Sequence, residues 1–302
     1  MRDYSIVYFN GIDRGFSIPS TLAEFEIGGM EFSIKWYGAL IAAGYLLALI
    51  AATHLAKKKH IDVDALYDVV IFGTLGGIVG ARAYYVLFNL GYYLANPSKI
   101  LSINEGGLAI YGGVIGAVLV GFITCKIRKF NPGDAMDLAA VGFLLGQGIG
   151  RWGNFTNQEA FGTNTSLPWG MTSNKIKDYI VAHQDAFVEK GITMDPYQGV
   201  HPTFLYESIW CLLGFVILFI MFSKFRKFKG QVALSYGVWY GAERTVLEGL
   251  RTDSLYIGNT DIRVSQVLSL VLAVSCLVAL LIGFIKSKKT YSPEKTFKET
   301  ES

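Results

Sequence analysis

The run Gly150-Arg151-Trp152-Gly153-Asn154-Phe155-Thr156-Asn157-Gln158-Glu159-Ala160-Phe161-Gly162 sets an arginine, two asparagines and a glutamate at the end of a long apolar stretch. Such groups are costly beside hydrocarbon, so by default they mark a functional site. Arg244, Glu248 and Arg251 repeat at i, i+4 and i+7 and so share one helix face, where Glu248 can pair with either arginine. A structural ion-pair network is the other reading of that triplet. Arg82 lies about 9 Å inside its own apolar stretch, counted from Phe88 at 1.5 Å per residue, and there it needs a partner or a polar ligand. Arg82, Arg151, Arg244 and Arg251 outnumber the nearby Glu159, Glu207 and Glu248. The guanidinium fork matches a phosphate and keeps its proton, so the pattern implies an anionic ligand. No Ser-His-Asp or Cys-His arrangement accompanies it. His54, His60, His183 and His201 lack metal-ligand spacing, so neither a metal nor a cofactor is expected.

The elements that must carry these groups are membrane spans. Hydrophobic residues make up 52% of the 302 and charged residues only 17%, a balance that suits a multi-span membrane protein better than a soluble core. Apolar segments long enough to cross hydrocarbon fall at about 36–56, 67–88, 108–125, 135–150, 204–222, 232–248 and 264–285. The expected fold class is therefore all-α, with seven transmembrane helices. Lys57, Lys58 and Lys59, then Lys126, Arg128 and Lys129, then Lys224, Arg226, Lys227 and Lys229, and the tail from Lys286 fall on one set of connections. The positive-inside rule makes that set cytoplasmic and puts the N-terminus outside and the C-terminus inside. Residues 1–35 contain Asp3, Asp13, Glu24, Glu26 and Glu31 and no apolar signal-peptide core; their alternating pattern suits an arm along the outer interface. The expected organisation is that arm, a membrane domain over 36–285 with a long outer loop at 163–203 as a cap, and a polar cytoplasmic tail over 286–302. Cys125, Cys211 and Cys276 have no paired spacing and read as small hydrophobes.

With this orientation six spans deliver polar residues to the outer half. Tyr37 opens the first, Arg82 lies near the far end of the second, and Asn104-Glu105-Gly106-Gly107 and Tyr111-Gly112-Gly113 open the third. Arg151 ends the fourth, His201 to Glu207 opens the fifth, and Arg244 and Glu248 end the sixth. That depth is the depth of outer-leaflet headgroups, which makes a phospholipid the candidate ligand. A net charge of +3 gives no case for nucleic acid.

These residues resemble the signature of the prolipoprotein diacylglyceryl transferases, bacterial inner-membrane enzymes. The likeness extends from Gly150–Gly162 to Tyr37, Gly80-Ala81-Arg82, Gly106 to Gly113, His201 to Glu207, and Arg244-x-x-x-Glu248-x-x-Arg251. The resemblance implies transfer of the diacylglyceryl group of phosphatidylglycerol to the lipobox cysteine thiol in a prolipoprotein signal peptide. A thioether forms and glycerol 1-phosphate leaves, and the nucleophile belongs to the substrate. On that basis Arg151 and Arg244 meet the growing phosphate charge. Arg82 and Arg251 hold the phosphodiester or orient Glu248. Tyr111, Glu159 and Glu248 are the base candidates, and Asn154 and Asn157 contact glycerol hydroxyls or cap the fourth span. Tyr37, Gly162, His201 and Glu207 join the substrate-binding set. Many family members carry histidine where this chain has Tyr111, so imidazole chemistry is not required there.

Two other classes fit parts of the pattern. An organic-anion transporter would also need buried arginines, but it would need an inner-facing path too, and the inner halves are nearly free of charge. A noncatalytic phospholipid-binding protein would share the site without the chemistry. Partners expected on either count include membrane lipids.

Overall fold

The computed structural model describes residues 5–102, 106–251, 260 and 263–290. Asn104, Glu105 and the tail beyond Thr290 lie outside the described residues. The protein is mostly helical, and all seven apolar segments form helices. Five helical stretches are long and apolar enough to cross a membrane: Trp36–Lys58, Val63–Phe88, Ile110–Ile127, Thr203–Phe225 and Val264–Lys288. The other two segments correspond to Pro132–Asn157 and Gln231–Leu247, the helices that carry Arg151 and Arg244. The polar groups that give them chemical interest also lower their apolar character.

The described chain divides into two compact units. The unit over residues 52–139 holds α2 (Val63–Phe88), α3 (Leu90–Ala95), a single tight turn Pro97–Leu101 and α4 (Ile110–Ile127). Asp62 caps α2 by accepting a hydrogen bond from the Ala65 N–H at 3.0 Å. Helices α2 and α4 pack backbone to backbone. A Cβ on Gly80 or Gly116 would collide with main-chain atoms of the facing helix, Gly112 in the first case and Gly76 in the second. Small residues four apart permit that approach where apolar burial offers little drive between helices in lipid.

The other unit comprises residues 1–51 and 140–302. It holds most of α1 (Trp36–Lys58) and of α5 (Pro132–Asn157), with α8 (Thr203–Ile220), α9 (Gln231–Leu247) and α10 (Val264–Thr290). Gly44 of α1 meets Gly146 of α5, and Gly241 of α9 meets Ala273 of α10. Trp210 and Trp239 stack with ring centroids 4.6 Å apart, and each indole N–H donates to the other residue's carbonyl. That reciprocal bond joins α8 to α9 without leaving an indole unpaired.

The alternating N-terminal arm forms strands, which the expectation of an all-α chain did not include. β1 (Ile6–Phe9) pairs antiparallel with β2 (Ile12–Ser17), and β3 (Thr21–Ile27) pairs with β4 (Met30–Lys35), which ends one residue before α1 begins. The segment expected as a long loop is a folded head. It contains β5 (Met171–Ser173), α6 (Asn174–Ala182) and α7 (Gln184–Glu189), and β5 adds to the free edge of β1. Val7 of the arm is buried there with Phe161, Met171, Ile176, Ile180, Phe187, Met194, Val200 and Phe204. Burying a cluster of that kind offsets the ordering of the segment by roughly 1.5–3 kcal/mol per large side chain.

Candidate active site

Aromatic packing holds the end of α5 on α8. The Trp152 indole donates to Ser208 Oγ at 3.1 Å, Ser208 Oγ donates on to the Gly148 carbonyl, and Phe155 stacks on Phe204. On the opposite side Gly153 makes room for Tyr37, whose ring would lie 2.5 Å from an added Cβ. This seating brings Arg151 against Glu207, which is 1% exposed and pairs through Oε2 with Arg151 Nε. The second carboxylate oxygen of Glu207 lies 3.4 Å from Arg251 Nη1. A single buried anion therefore holds two cations, one from α5 and one from the segment after α9.

Arg151 uses Nε for that pair, and its two terminal amino groups have no partner among the described residues. Those two amino groups are the pair of donors that fits two phosphate oxygens. Arg244 pairs through Nη2 with Glu248 Oε2 at 3.1 Å across one turn of helix, and Glu248 is 2% exposed. The i, i+4 spacing read from the sequence thus makes an ion pair.

After Asn157 the helix reverses through Gln158 and Ala160, both with positive φ. The reversal folds Glu159 back on α5: its N–H donates to the Asn154 carbonyl, and its Oε1 accepts from Asn154 Nδ2 at 3.1 Å and Asn157 Nδ2 at 3.2 Å. Both asparagines thus orient the glutamate. Gly162 follows, clamped between His201 and Leu250, where an added Cβ would lie 2.9 Å from each. Its N–H donates to the His201 carbonyl, and it bridges to Arg251. His201 lies outside the spans, and burial pushes its imidazole below the ordinary value.

Arg82 and Tyr111 belong to the 52–139 unit. Arg82 is 8% exposed, and all five of its N–H donors reach carbonyls: Nε to Ile100, Nη1 to Gly106 and Gly107, and Nη2 to Lys99 and Ser102. A guanidinium has five donors, so in this arrangement Arg82 has none left for a headgroup. Its expected place among direct ligands gives way to a different one: it holds the turn that leads into α4. Gly107, with φ of +77, sits so close to the Arg82 guanidinium that no side chain fits there. Tyr111, the second residue of α4, is 70% exposed.

Two features carry no motif and were not expected. Glu243, beside Arg244 in sequence, is buried on α9, and the Cys211 thiol lies 3.7 and 3.8 Å from its two oxygens. A charged residue inside an apolar stretch was the available signal. The other is the pair of contacts that links Trp169 through Tyr206 to His201, which nothing in their spacing announces.

Long apolar helices with arginine–glutamate pairs gathered at helix ends define a multi-pass membrane protein with a built polar centre. The family model of prolipoprotein diacylglyceryl transferase matches residues 24–282, and the chain belongs to that family. It is 42% identical over 265 residues to a phosphatidylglycerol–prolipoprotein diacylglyceryl transferase of Finegoldia magna, covering 88% of this chain and 95% of the relative. It is 43% identical over 267 residues to the protein of the same name from Clostridium novyi, covering 88% and 97%. A Thermotoga maritima protein of that name is 42% identical over 278 residues, covering 90% and 87%.

Proposed function

We infer that this chain is a transferase that moves the diacylglyceryl group of phosphatidylglycerol onto the lipobox cysteine of a prolipoprotein signal peptide. Family membership supports the reaction, and the fork of Arg151, beside a buried carboxylate and without a partner among the described residues, is the observation that carries it to these residues. The thiol sulfur attacks the carbon of the diacylglyceryl group that bears the phosphodiester oxygen. The C–O bond breaks, the C–S bond forms, and the thiol proton ends on the released glycerol 1-phosphate. Negative charge grows on the departing phosphate, and fixed guanidiniums already held by Glu207 and Glu248 meet it without rearranging. Arg151 and Arg244 take that role, and Arg251 steadies Glu207. Glu159, steered by Asn154 and Asn157, is placed to accept the proton or a glycerol hydroxyl; Glu248 and Tyr111 are the other base candidates. Tyr37, Gly162 and His201 complete the headgroup surroundings, and Arg82 acts by holding the turn before Tyr111.

The proposed setting is a bacterial cytoplasmic membrane crossed by seven helices, with the N-terminus outside, the C-terminus inside and the site toward the outer face. The distribution of Lys57 to Lys59, Lys126 to Lys129, Lys224 to Lys229 and Lys286 supports that orientation. Residues 1–35 then form an outer arm, 36–285 the catalytic membrane domain, and 286–302 a cytoplasmic tail. The test is to incubate purified protein with a lipobox peptide and phosphatidylglycerol labelled in the glycerol of its diacylglyceryl group. Label should appear on the peptide through a bond stable to alkaline hydrolysis, as expected of a thioether. An unlabelled peptide under conditions where a relative from the same family transfers label would overturn the reading.

A further inference from the structure

The Leu167-Pro168-Trp169-Gly170 turn is held by the N-terminal arm. Asn10 Nδ2 donates to the carbonyls of Thr165 and Leu167, and the Gly11 N–H donates to Pro168. So fixed, Trp169 donates its indole N–H to Tyr206 Oη at 2.7 Å, and Tyr206 Oη lies 3.0 Å from His201 Nδ1. The direction of this chain follows from which groups can give a proton. Indole only donates, so the tyrosine oxygen accepts from Trp169. The hydroxyl has one proton of its own, and among its contacts with described residues Nδ1 is the group able to receive it. His201 Nδ1 is then an acceptor, and the ring proton sits on Nε2. Burial favours the neutral form in which this choice of tautomer exists.

The place of the ring gives the tautomer a use. The His201 carbonyl accepts from Gly162, the His201 N–H donates to Thr163, and Thr163 in turn donates to Leu250, so residues 162–163 lie between His201 and Arg251. His201 is therefore two backbone spacings, about 10 Å, from Arg251, whose guanidinium lies on Glu207. Beside guanidiniums a further cation is disfavoured, whereas a neutral N–H adds a donor without adding charge. We propose that Trp169 and Tyr206 are positioning residues that hold His201 as its neutral Nε2–H tautomer, an uncharged donor to a headgroup oxygen. The proposal rests on the transferase reading for the identity of the ligand, and on the Trp169–Tyr206–His201 contacts alone for the tautomer.

The experiment uses the full-length protein with ¹⁵N-labelled histidine, read by NMR without substrate, with His201 assigned by the signal lost in His201→Gln. Wild type should show His201 protonated on Nε2. Tyr206→Phe keeps the ring but removes the donor to Nδ1, and it should give a mixture of tautomers. Trp169→Phe should give a smaller shift in the same direction. With phosphatidylglycerol and the lipobox peptide, Tyr206→Phe should raise KM for the lipid roughly five- to tenfold with kcat nearly unchanged, the loss of one hydrogen bond made equally in ground and transition states. An Nδ1-protonated ring in wild type, or an unmixed Nε2–H ring in Tyr206→Phe, would overturn the proposal. A tautomer shift in a protein that transfers no label would overturn the transferase reading while upholding the tautomer assignment.

Discussion

Replacing Arg151 by lysine keeps one positive charge beside Glu207 and removes the planar fork. In the structure Nε serves Glu207, and the two terminal amino groups are left for the phosphate. Charge-assisted bonds to a phosphate contribute roughly 1.5–3 kcal/mol each. A lysine that stays on Glu207 forfeits both; one that swings to the phosphate keeps one and leaves Glu207 to Arg251. The loss of transition-state stabilisation is then roughly 3–6 kcal/mol in the first case and roughly 1.5–3 kcal/mol in the second, so kcat/KM should fall by at least about tenfold. Stability should change little, because Glu207 retains a cation in both cases. The assay is transfer from labelled phosphatidylglycerol to the lipobox peptide, with thermal unfolding in detergent run in parallel. An Arg151→Lys enzyme within about threefold of wild type, correctly folded, would refute the assignment of the fork to the phosphate.

Glu207→Gln should destabilise the fold by about 3 kcal/mol, read as a lower Tm in detergent, since two arginines lose a shared buried anion. Arg82→Lys should expose residues 97–102 and 106–107 to proteolysis, because one ammonium cannot replace five donors to five carbonyls; equal protease resistance of variant and wild type would count against the clamp. Tyr111→Phe should lose most turnover while Tyr111→His retains a measurable part, if a polar group is what that position supplies; a Phe variant as active as wild type would shift the base assignment to Glu159 or Glu248. For topology, Val188 and Lys224 are exposed and suit labelling. A cysteine at 188 should react with an impermeant reagent on intact cells and one at 224 only after the membrane is opened, and the reverse pattern would invert the proposed orientation.

The helices are legible in the sequence because apolar runs bounded by lysines and glycines leave few alternatives, and the Arg244–Glu248 pair is legible because i, i+4 spacing is local. The asparagines show where legibility ends. Their convergence on Glu159 depends on positive φ at Gln158 and Ala160, residues with no intrinsic need for it, so only the packed chain reveals the reversal. The depth of Arg82 in its span announces a need for partners, but those partners are backbone carbonyls, which every residue has and no motif marks. The head is hidden for another reason. Ile176, Ile180, Phe187 and Met194 are too few to advertise a core until Val7 and Phe204 join them from far along the chain. The arm's strands have the period-2 alternation of a half-buried sheet, and their assignment requires knowing that a partner edge exists.

That partner edge has a consequence for how the protein is made. Val7 leaves the ribosome well before Ser173, with which it pairs and which emerges only after α1, α2, α4 and α5 have been synthesised. Pairings so distant in sequence close slowly, and the early segment waits with an unpaired edge. β1 is thus translated ahead of these helices and seated after them. A bulky domain joined just ahead of β1 would then leave the helices able to insert but delay or block completion of the head, so its damage would show in the yield of finished enzyme rather than in the amount of membrane-inserted chain.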